Sequence, residues 1–361
     1  MLVTRPRGAG AAPAAVVAAV VVAVLVGAGL GLAGCGGARS SPRSPLVDSA
    51  PMAEGDGSGR LRRELELEVL ASYQRTTLDA PAAAAAIDPA VGLIMFGIGP
   101  DDFVAARALD QRWPITAQDG QPVEVVSRHL ELFLSADRTV GWSYDEVSLR
   151  LAVCGRIASI PLRVSQVYVR DSERWTQVAE HVAYVQPMAR WRDAARGPEG
   201  TRIPTAIEKQ LESQAAQATL AEALAPDADR ASWDGGAGGL AIWPDPLHVL
   251  RGGGARSGPS LAQSLGATGI TVEGLRLALG PGRTVAIAGG TLVARLDRVR
   301  EGADDPVEVR LRGTFVLERR SDAWQIRLAM VSVPITTSAM VSRMLGAAAA
   351  VEAGGRVRVG C

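Results

Sequence analysis

Two stretches of the chain have the hydrophobic spacing of an amphipathic helix. In Leu61–Leu78, apolar side chains recur every three or four positions among arginine and glutamate residues, and Thr205–Leu224 has a similar stripe. Because this spacing places apolar residues on one side of a helix, we predict a helix over each stretch. A short apolar segment follows each helix, at Gly92–Phe96 and at Gly239–Trp243, and runs into a turn that contains proline and aspartate.

Four long segments with the alternation typical of β-strands follow each short segment. In the first half of the chain they are Val123–Leu134, Thr139–Val153, Ile160–Arg170 and Trp175–Gln186. In the second half they are Ile270–Leu279, Thr284–Leu296, Val307–Glu318 and Trp324–Val333. Helices followed by runs of strands predict an α+β fold. A further helix is predicted over Ser338–Val351.

Two short landmarks relate the halves to each other. Asp-Arg-Thr-Val at 137–140 matches Gly-Arg-Thr-Val at 282–285, an offset of 145 positions. The segment ending at Trp175 matches the segment ending at Trp324, an offset of 149 positions. The difference falls between the landmarks, where a hairpin loop would absorb it. We therefore predict an internal duplication, whose halves are expected to bury a sheet face against each other.

Each half resembles the SnoaL-like group of the nuclear-transport-factor-2-like superfamily. The resemblance is carried by Phe96–Asp101, by Arg138–Trp142 and by Arg170–Trp175. It implies two tandem cone-shaped domains, each with N-terminal helices packed on a curved antiparallel β-sheet and a pocket at the wide end. The group includes cyclases, isomerases, dehydratases and proteins without catalysis, so this fold does not define the function.

The N-terminus has the pattern of an exported lipoprotein. Arg5 and Arg7 precede an apolar run, Ala11–Leu32, which stops at a Leu-Ala-Gly-Cys sequence ending in Cys35. Small residues before the break are typical of a signal cleavage site. The sequence also resembles the bacterial lipobox, which implies diacylglycerol and palmitate-type acyl chains on Cys35. An uncleaved membrane anchor is the alternative, because a run of roughly 20 apolar residues can span a bilayer.

These patterns predict the domain organisation and the location. We predict a signal peptide at 1–34, a flexible tether at 35–60, domain 1 at 61–190, a linker at 191–204, domain 2 at 205–336 and a C-terminal tail at 337–361. The tether is rich in Gly, Ser and Pro and cannot bury enough apolar surface to order itself. The residue after Cys35 is Gly36 and not an acidic residue, which resembles the pattern of lipoproteins that reach the outer membrane. We expect a lipid-anchored protein of the bacterial cell envelope.

Composition excludes several classes of function. Basic and acidic residues number 38 each among 361, so no global charge favours nucleic acid. Neither a cofactor motif nor a zinc-like spacing of Cys and His is present, and we predict no cofactor and no metal. With Cys35 lipidated, Cys154 and Cys361 remain, either as a disulfide or as two free thiols.

Strand alternation suggests a few pocket residues. Trp175, Gln177 and His181 are expected to share one face of the closing strand. In the SnoaL-like group a histidine six residues after this tryptophan commonly faces the cavity, where a single imidazole can act as a base or bind a ligand. His181 is therefore the candidate catalytic residue, and the alternative is a histidine packed in a half-buried sheet with one backbone or water partner. The position that matches it in the second half is Met330, so no polar chemistry is expected there.

Three further residues complete the candidate ligand-binding set. Gln177 and Trp142 are candidate contacts, although Trp142 also suits a packing role. His129 and Glu131 are expected to share a face beside Ser127, either as an acid–base pair or on a solvated sheet surface.

Two functions fit the sequence. We expect a non-catalytic lipoprotein, bound to the bilayer through acylated Cys35, that binds a small apolar ligand or an envelope protein. The alternative is a SnoaL-like enzyme of the isomerase, cyclase or dehydratase type that uses the pocket of domain 1. The second half has few polar residues at the positions expected to line a pocket, which favours the non-catalytic function.

Overall fold

The computed structural model describes much of the chain after residue 56. The described residues are 57–78, 94–99, 103–104, 123–153, 156–185, 205–207, 210–225, 232–236, 238–296, 307–336, 339–340, 349–351 and 357–359. All of them belong to one compact unit, Ser49–Cys361. Within these ranges no helix is both long and apolar enough to cross a membrane. The predicted signal peptide, Cys35 and the tether up to residue 56 lie outside the described residues.

In the first half, which we define as residues 58–185, the described residues form one helix and one sheet. Helix α1, Ser58–Leu78, buries Leu61, Leu65, Val69 and Tyr73 at intervals of four, so this side of the helix packs on the sheet. The strands are β1 Ile94–Phe96, β2 Phe103–Val104, β3 Val123–Leu134, β4 Val140–Val153, β5 Arg156–Asp171 and β6 Arg174–Tyr184. Their order in the sheet is β2-β1-β6-β5-β4-β3.

The second half, residues 205–336, repeats this plan with additions. Its elements are β7 Ala206–Ile207, α2 Leu211–Leu224, β8 Leu240–Ile242, β9 Val249–Arg251, α3 Gly253–Ser257, α4 Leu261–Leu265, β10 Ala267–Leu279, β11 Val285–Leu296, β12 Val307–Arg320 and β13 Ala323–Ser332. The sheet order is β7-β10-β11-β12-β13-β8-β9. Each half therefore has a four-stranded meander with a short strand beside its last member, and the chain is α+β.

The prediction of antiparallel sheets is wrong at the short strands. Strand β1 runs parallel to β6, β8 runs parallel to β13, and β7 runs parallel to β10. The meander strands are joined by short hairpins, which require antiparallel neighbours. The short strands are joined to the meanders through longer connections, which leave their direction free. Both sheets are therefore mixed.

The long strands agree with the predicted segments. The largest difference is at the start of β5, predicted at Ile160 and observed at Arg156. Two helix predictions fail in part. Helix α2 begins at Leu211 because residues 206–207 pair with β10 as a strand. In the tail, Ala349–Val351 is strand β14 and pairs with β15, Val357–Val359.

The two meanders carry the same irregularities at matched positions. In the turns before β4 and β11, Arg138 and Arg283 both have positive φ, at 60° and 55°. In the turns before β6 and β13, Ser172 and Ser321 have φ of 49° and 46°. These turns contain the two landmarks found in the sequence.

Each closing strand also contains a β-bulge. Between its pairings with β5, strand β6 has one extra residue, Val178, and β13 has one extra residue, Arg327, against β12. The two bulges are 149 positions apart, which is the offset of the second landmark. A bulge inserts one residue that is not matched on the neighbouring strand, so the side chains after it exchange faces.

The two sheets pack face to face, and we call this contact the seam. Its apolar core is formed by Ile94, Phe96, Val140, Trp142, Tyr144, Val167 and Val169 of the first half with Leu240, Ile242, Val285, Ile287, Val316, Leu328 and Met330 of the second. Gly289 lies so close to Ile94 that a side-chain carbon at position 289 would overlap it. The halves therefore share one continuous core, and each sheet has its helix on the opposite face.

Polar contacts lie at both ends of the seam. The Arg163 guanidinium, on β5, donates to the carbonyl oxygens of Trp243, Asp245 and Pro246 at 3.1, 3.2 and 2.7 Å. At the hairpins, the Thr284 hydroxyl donates to the Asp137 carboxylate. Most of these donors and acceptors are buried or half-buried, so they fix how one sheet lies on the other.

Candidate functional site

His181, the candidate catalytic residue, lies in the seam and not in the interior of the first half. Its side chain is fully buried and its Nε2 is 2.7 Å from the Ser332 hydroxyl oxygen of the second half. Its ring meets the Phe96 ring edge-on, with centroids 5.4 Å apart. Burial, helped by the nearby Arg312 guanidinium, lowers the pKa of His181 to about 3. The imidazole is therefore neutral and links the two sheets.

A β-bulge at Val178 explains why His181 lies in the seam and not in the interior of the first half. Trp175 and Gln177 precede the bulge and face helix α1, as predicted. Simple alternation would keep His181 on the same side. The extra residue reverses the order, so that Glu180 faces the helix and His181 faces the second sheet. The prediction that Trp175, Gln177 and His181 share one face is therefore wrong.

Trp142 and His129 also lie away from the interior of the first half. Trp142 is fully buried in the seam, stacked on Phe133 at 6.0 Å, which fits the packing role. His129 is exposed, and its Nε2 is 3.1 Å from the Glu131 carboxylate, so these two share a face as predicted. Ser127 is not beside them, because β3 has a bulge between Ser127 and His129.

A cluster of polar side chains lies between α1 and the sheet of the first half. We call it the interior cluster, and it consists of Ser72, Tyr73, Ser143, Asp145, Gln166, Tyr168, Gln177 and Glu180. Each of these residues is at most 3% exposed. The helix supplies the first two, and adjacent strands β4, β5 and β6 supply the rest. Of the residues predicted for a site, only Gln177 belongs to it.

Gln166 and Glu180 are at the centre of the interior cluster. The Gln166 side-chain amide donates to the Ser72 hydroxyl at 2.9 Å and to the Glu180 carboxylate at 2.7 Å. Its carbonyl oxygen accepts from the Tyr168 hydroxyl at 2.9 Å. The Gln177 amide donates to the same Glu180 oxygen at 3.1 Å. Two amide donors on one oxygen hold the carboxylate in a fixed position.

Tyr73 and Asp145 form the second part of the cluster. The Tyr73 hydroxyl donates to the Asp145 carboxylate at 3.2 Å. Burial raises the pKa of Asp145, although hydrogen bonds from Ser127 and from the His129 backbone amide act against the shift. Burial and the neighbouring carboxylates raise the pKa of Tyr73 well above its usual value. Tyr73 is therefore protonated and serves as a hydrogen-bond donor.

The strand positions of this cluster are apolar in the second half. Matching β4 to β11, β5 to β12 and β6 to β13 by their pairing registers gives the counterparts. In the order Ser143, Asp145, Gln166, Tyr168, Gln177 and Glu180, they are Ala288, Gly290, Phe315, Leu317, Ile326 and Ala329. All but Gly290 belong to the hydrophobic core of the second half.

The helices differ in the same way. Helix α1 buries Leu65, Val69, Ser72 and Tyr73, and α2 buries Ala216, Leu220, Ala223 and Leu224 at the same spacing. Ser72 and Tyr73 thus correspond to apolar residues of α2. The interior of the first half is polar at its centre, whereas the second interior is apolar at every matched position.

The second half has a small surface depression between α2 and β10. Its volume is about 100 Å³, and it is lined mainly by Ile207, Leu220, Ala221, Val272 and Leu275. No cluster of metal-ligating side chains occurs within the described ranges. The depression is too small for most metabolites, since ligand pockets usually enclose several hundred cubic ångströms.

Comparison with known proteins gives matches only among solved structures. No protein-family model and no curated protein matches the chain. Aln2 from a Streptomyces species is 14% identical over 35% of this chain and 90% of its own, with a TM-score of 0.28. An NTF2-like protein with a cystatin-like fold from Novosphingobium aromaticivorans is 15% identical over 36% and 87%, with a TM-score of 0.27. The CaMKII hub homology domain of Chlamydomonas reinhardtii is 13% identical over 34% and 98%, with a TM-score of 0.29.

Proposed function

We propose that this chain is a lipid-anchored protein of the bacterial cell envelope with two tandem SnoaL-like domains, in which domain 1 binds a small ligand without catalysis. The interior cluster is the ligand site, and domain 2 is the scaffold on which domain 1 is held. The matched landmarks, the matched positive-φ turns and the matched bulges support the tandem arrangement.

The observation that carries the ligand site is the difference between the two interiors. A cluster of buried polar groups costs stability relative to an apolar core unless every group is satisfied. The second half achieves the same fold with apolar residues at all the matched positions. The polar residues of the first half are therefore not required by the fold, which favours a role in binding.

The binding function is tested by native mass spectrometry of the protein purified from its host. A co-purifying small molecule is expected on the wild-type chain and absent from Glu180→Ala, which installs the residue that the second half has at this position. The matched control is His181→Met. It installs the residue that the second half has at the next position, Met330, on the opposite face of the strand, and it is expected to keep the small molecule. A chain that is consistently empty would contradict the proposal, and an envelope protein captured by cross-linking would replace it.

The anchor is proposed from the sequence pattern at Cys35. Wild-type protein is expected in the membrane fraction with incorporated palmitate, and on density separation it is expected with the outer membrane. Cys35→Ser is expected to lose the label and the sedimentation with that membrane. Unlabelled wild-type protein that stays in the membrane would favour the uncleaved anchor instead.

The alternative is an enzyme that uses domain 1, and one observation favours it. Two buried carboxylates, Asp145 and Glu180, lie in the same interior as the hydroxyls of Tyr73 and Tyr168. A carboxylate and a protonated phenol are suitable for acid–base work. His181 is not a suitable base, because it is buried in the seam and its pKa is about 3. Conversion of the co-purified molecule, lost in Glu180→Ala, would support this alternative.

A further inference from the structure

We infer that one end of the folded part lies against the bilayer, where its arginine side chains contact the phosphates of anionic phospholipids. It is the end at which β3 turns into β4, β5 into β6, β10 into β11 and β12 into β13, and we call it the hairpin end. The inference rests on the proposed lipid anchor and adds the surface that the anchored protein presents to the membrane. It follows from the place where α1 begins and from the charges around that place.

Helix α1 begins at the hairpin end. The Glu64 carboxylate, close to the start of the helix, is 3.5 Å from the guanidinium of Arg170, which lies beside the turn from β5 to β6. Leu65 packs so closely on Gly141, at the start of β4, that a side-chain carbon at position 141 would overlap it. The chain therefore enters the folded part at the hairpin end.

The length of chain before α1 limits the distance between the hairpin end and the bilayer. Ser58, the first residue of α1, follows Cys35 by 23 positions. With the flexibility predicted for the tether, a chain of this length has a root-mean-square span of roughly 26 Å. The far end of the first half, where β4 turns into β5, is separated from the hairpin end by the 14 residues of β4, which span roughly 45 Å. The hairpin end is therefore the end held closer to the anchor.

The first turn of α1 is rich in arginine. Arg60, Arg62 and Arg63 are exposed, and this turn has no acidic residue. Positive charge at the N-terminus of a helix is unfavourable because it opposes the helix macrodipole. The three arginines are therefore not explained by the stability of the helix. Arginine close to an anionic membrane surface is attracted to it, which gives these side chains a role at the bilayer.

The turns of both halves extend the same surface. The Thr284 hydroxyl donates to the Asp137 carboxylate, and the Ala136 amide donates to the Glu318 carboxylate at 2.6 Å, so the turns of the two sheets lie side by side. The hairpin end comprises residues 58–64, 135–139, 170–174, 210–212, 280–284 and 318–323. Its nine arginines are Arg60, Arg62, Arg63, Arg138, Arg170, Arg174, Arg283, Arg319 and Arg320.

The acidic residues of the hairpin end are fewer, and some of them are held in contacts within the protein. They are Glu64, Asp137, Asp171, Glu173, Glu212, Glu318 and Asp322. Glu318 is only 1% exposed and pairs with Arg320 and with Arg327. Glu64 pairs with an arginine of its own helix and with Arg170. The hairpin end is therefore net positive in a chain whose formal net charge is zero, which complements an anionic lipid surface.

This attraction orients an anchored chain and does not replace the anchor. A few excess positive charges act over about one screening length, which is about 8 Å at physiological ionic strength. The lipid on Cys35 keeps the hairpin end within reach of the surface, and the arginines then favour contact. The loss of sedimentation expected for Cys35→Ser is unaffected, because without the lipid the chain leaves the range of the attraction.

The inference is tested by energy transfer from a dye on the protein to labelled lipid in vesicles. The lipidated chain carries Cys154→Ser and Cys361→Ser, with the dye at Ala136→Cys in the hairpin end or at Ile157→Cys at the far end, both exposed positions. On vesicles that contain phosphatidylglycerol, transfer is expected to be roughly two-fold or more higher from position 136, given a separation of roughly 45 Å. This ratio is expected to fall on phosphatidylcholine alone and at about 1 M salt, where the screening length is about 3 Å.

The triple variant Arg60→Gln, Arg62→Gln and Arg63→Gln is expected to remove roughly half or more of the salt-sensitive part of the ratio. Its matched control, Arg150→Gln with Arg295→Gln and Arg310→Gln, removes the same charge from ion pairs away from the hairpin end. This control is expected not to lower the ratio.

Two kinds of failure are distinguishable in this experiment. Equal transfer from the two positions on phosphatidylglycerol, or a ratio that the triple variant leaves unchanged, would overturn the inference and leave the anchor standing. The absence of transfer from both positions would show that the chain is not held on the bilayer, and it would overturn the anchor together with the inference.

Discussion

Arg163 is the residue whose loss should weaken the seam most directly. Its side chain is buried, and its guanidinium donates to three backbone carbonyls of the second half, at Trp243, Asp245 and Pro246. In Arg163→Met the stem of the side chain is kept and the three hydrogen bonds are lost. Hydrogen bonds from a charged donor contribute about 1.5–3 kcal/mol each, but three bonds from one group do not add fully.

The exposure of the three carbonyls limits the loss. Trp243 is buried, so its carbonyl would lack a partner, whereas Asp245 and Pro246 are partly exposed and water can replace the guanidinium there. We therefore expect Arg163→Met to lower the free energy of unfolding by about 3–5 kcal/mol. Amide hydrogen exchange at Leu247 and His248, in the turn that Arg163 holds, is expected to become faster.

The measurement is chemical denaturation of both proteins, with hydrogen exchange as the local assay. Arg150→Met is the matched control, because Arg150 lies on the same sheet in an exposed ion pair with Glu124 at 3.4 Å. Such pairs contribute about 0–1 kcal/mol. If Arg163→Met is no more destabilising than Arg150→Met, the carbonyl contacts do not hold the halves together and the reasoning is refuted.

Three further predictions concern the two faces of the sheets. For His181, the pKa of about 3 in the folded state lies below the unfolded value of 6.5. Its contribution to the free energy of unfolding is therefore present above pH 6.5 and is lost as the pH falls, so that between pH 6.5 and 5 the wild type should lose about 2 kcal/mol more stability than His181→Met in denaturation. Equal losses in the two proteins would contradict the burial of a neutral imidazole. Gly289→Ala places a methyl group against Ile94 across the seam and should cost about 1–3 kcal/mol in denaturation, whereas Gly269→Ala, with open space at the site, should cost less. Arg327→Met removes the partner of buried Asp234 and should cost about 3–5 kcal/mol; a loss below about 1 kcal/mol would show that water satisfies the carboxylate.

The order and length of the long strands could be predicted from the sequence because they depend on local patterns. The alternation in β3, for example, predicts Val123–Leu134, which is the strand observed. The two landmarks, which predict the duplication, lie at turns in the structure, where Arg138 and Ser172 of the first half have positive φ. Periodicity and turn residues are properties of a few neighbouring positions, and they transfer directly from sequence to structure.

The faces of the strands could not be predicted to the same extent, because of the bulges. Val178 is an ordinary strand residue, and nothing in its type indicates that it is unmatched by β5. Its effect is to move His181 from the interior to the seam. The bulge in β3 separates Ser127 from His129 in the same way. A single extra residue reverses every face that follows it, so predictions that depend on alternation fail beyond it.

The interior cluster can be recognised in the sequence when each strand of the first half is compared, position by position, with its counterpart in the second half. At an offset of 149, Gln166 and Tyr168 correspond to Phe315 and Leu317, a change from polar to apolar on a buried strand face. Polar residues at every second position of an otherwise apolar strand indicate a role outside folding when a second copy of that strand has apolar residues at the same positions. The second copy shows that the fold does not require them.

The apolar second half also explains how the first half can keep a polar interior. A small domain has little stability in excess, and replacing apolar core residues by a polar cluster consumes a large part of it. Here the sheet of the first half is covered on one face by α1 and on the other by a second sheet whose own interior is apolar. The seam therefore supplies the first half with buried apolar area that the interior cluster does not provide. Separation of the halves is expected to destabilise the first more than the second, which is why we assign the scaffold role to domain 2 and the binding role to domain 1.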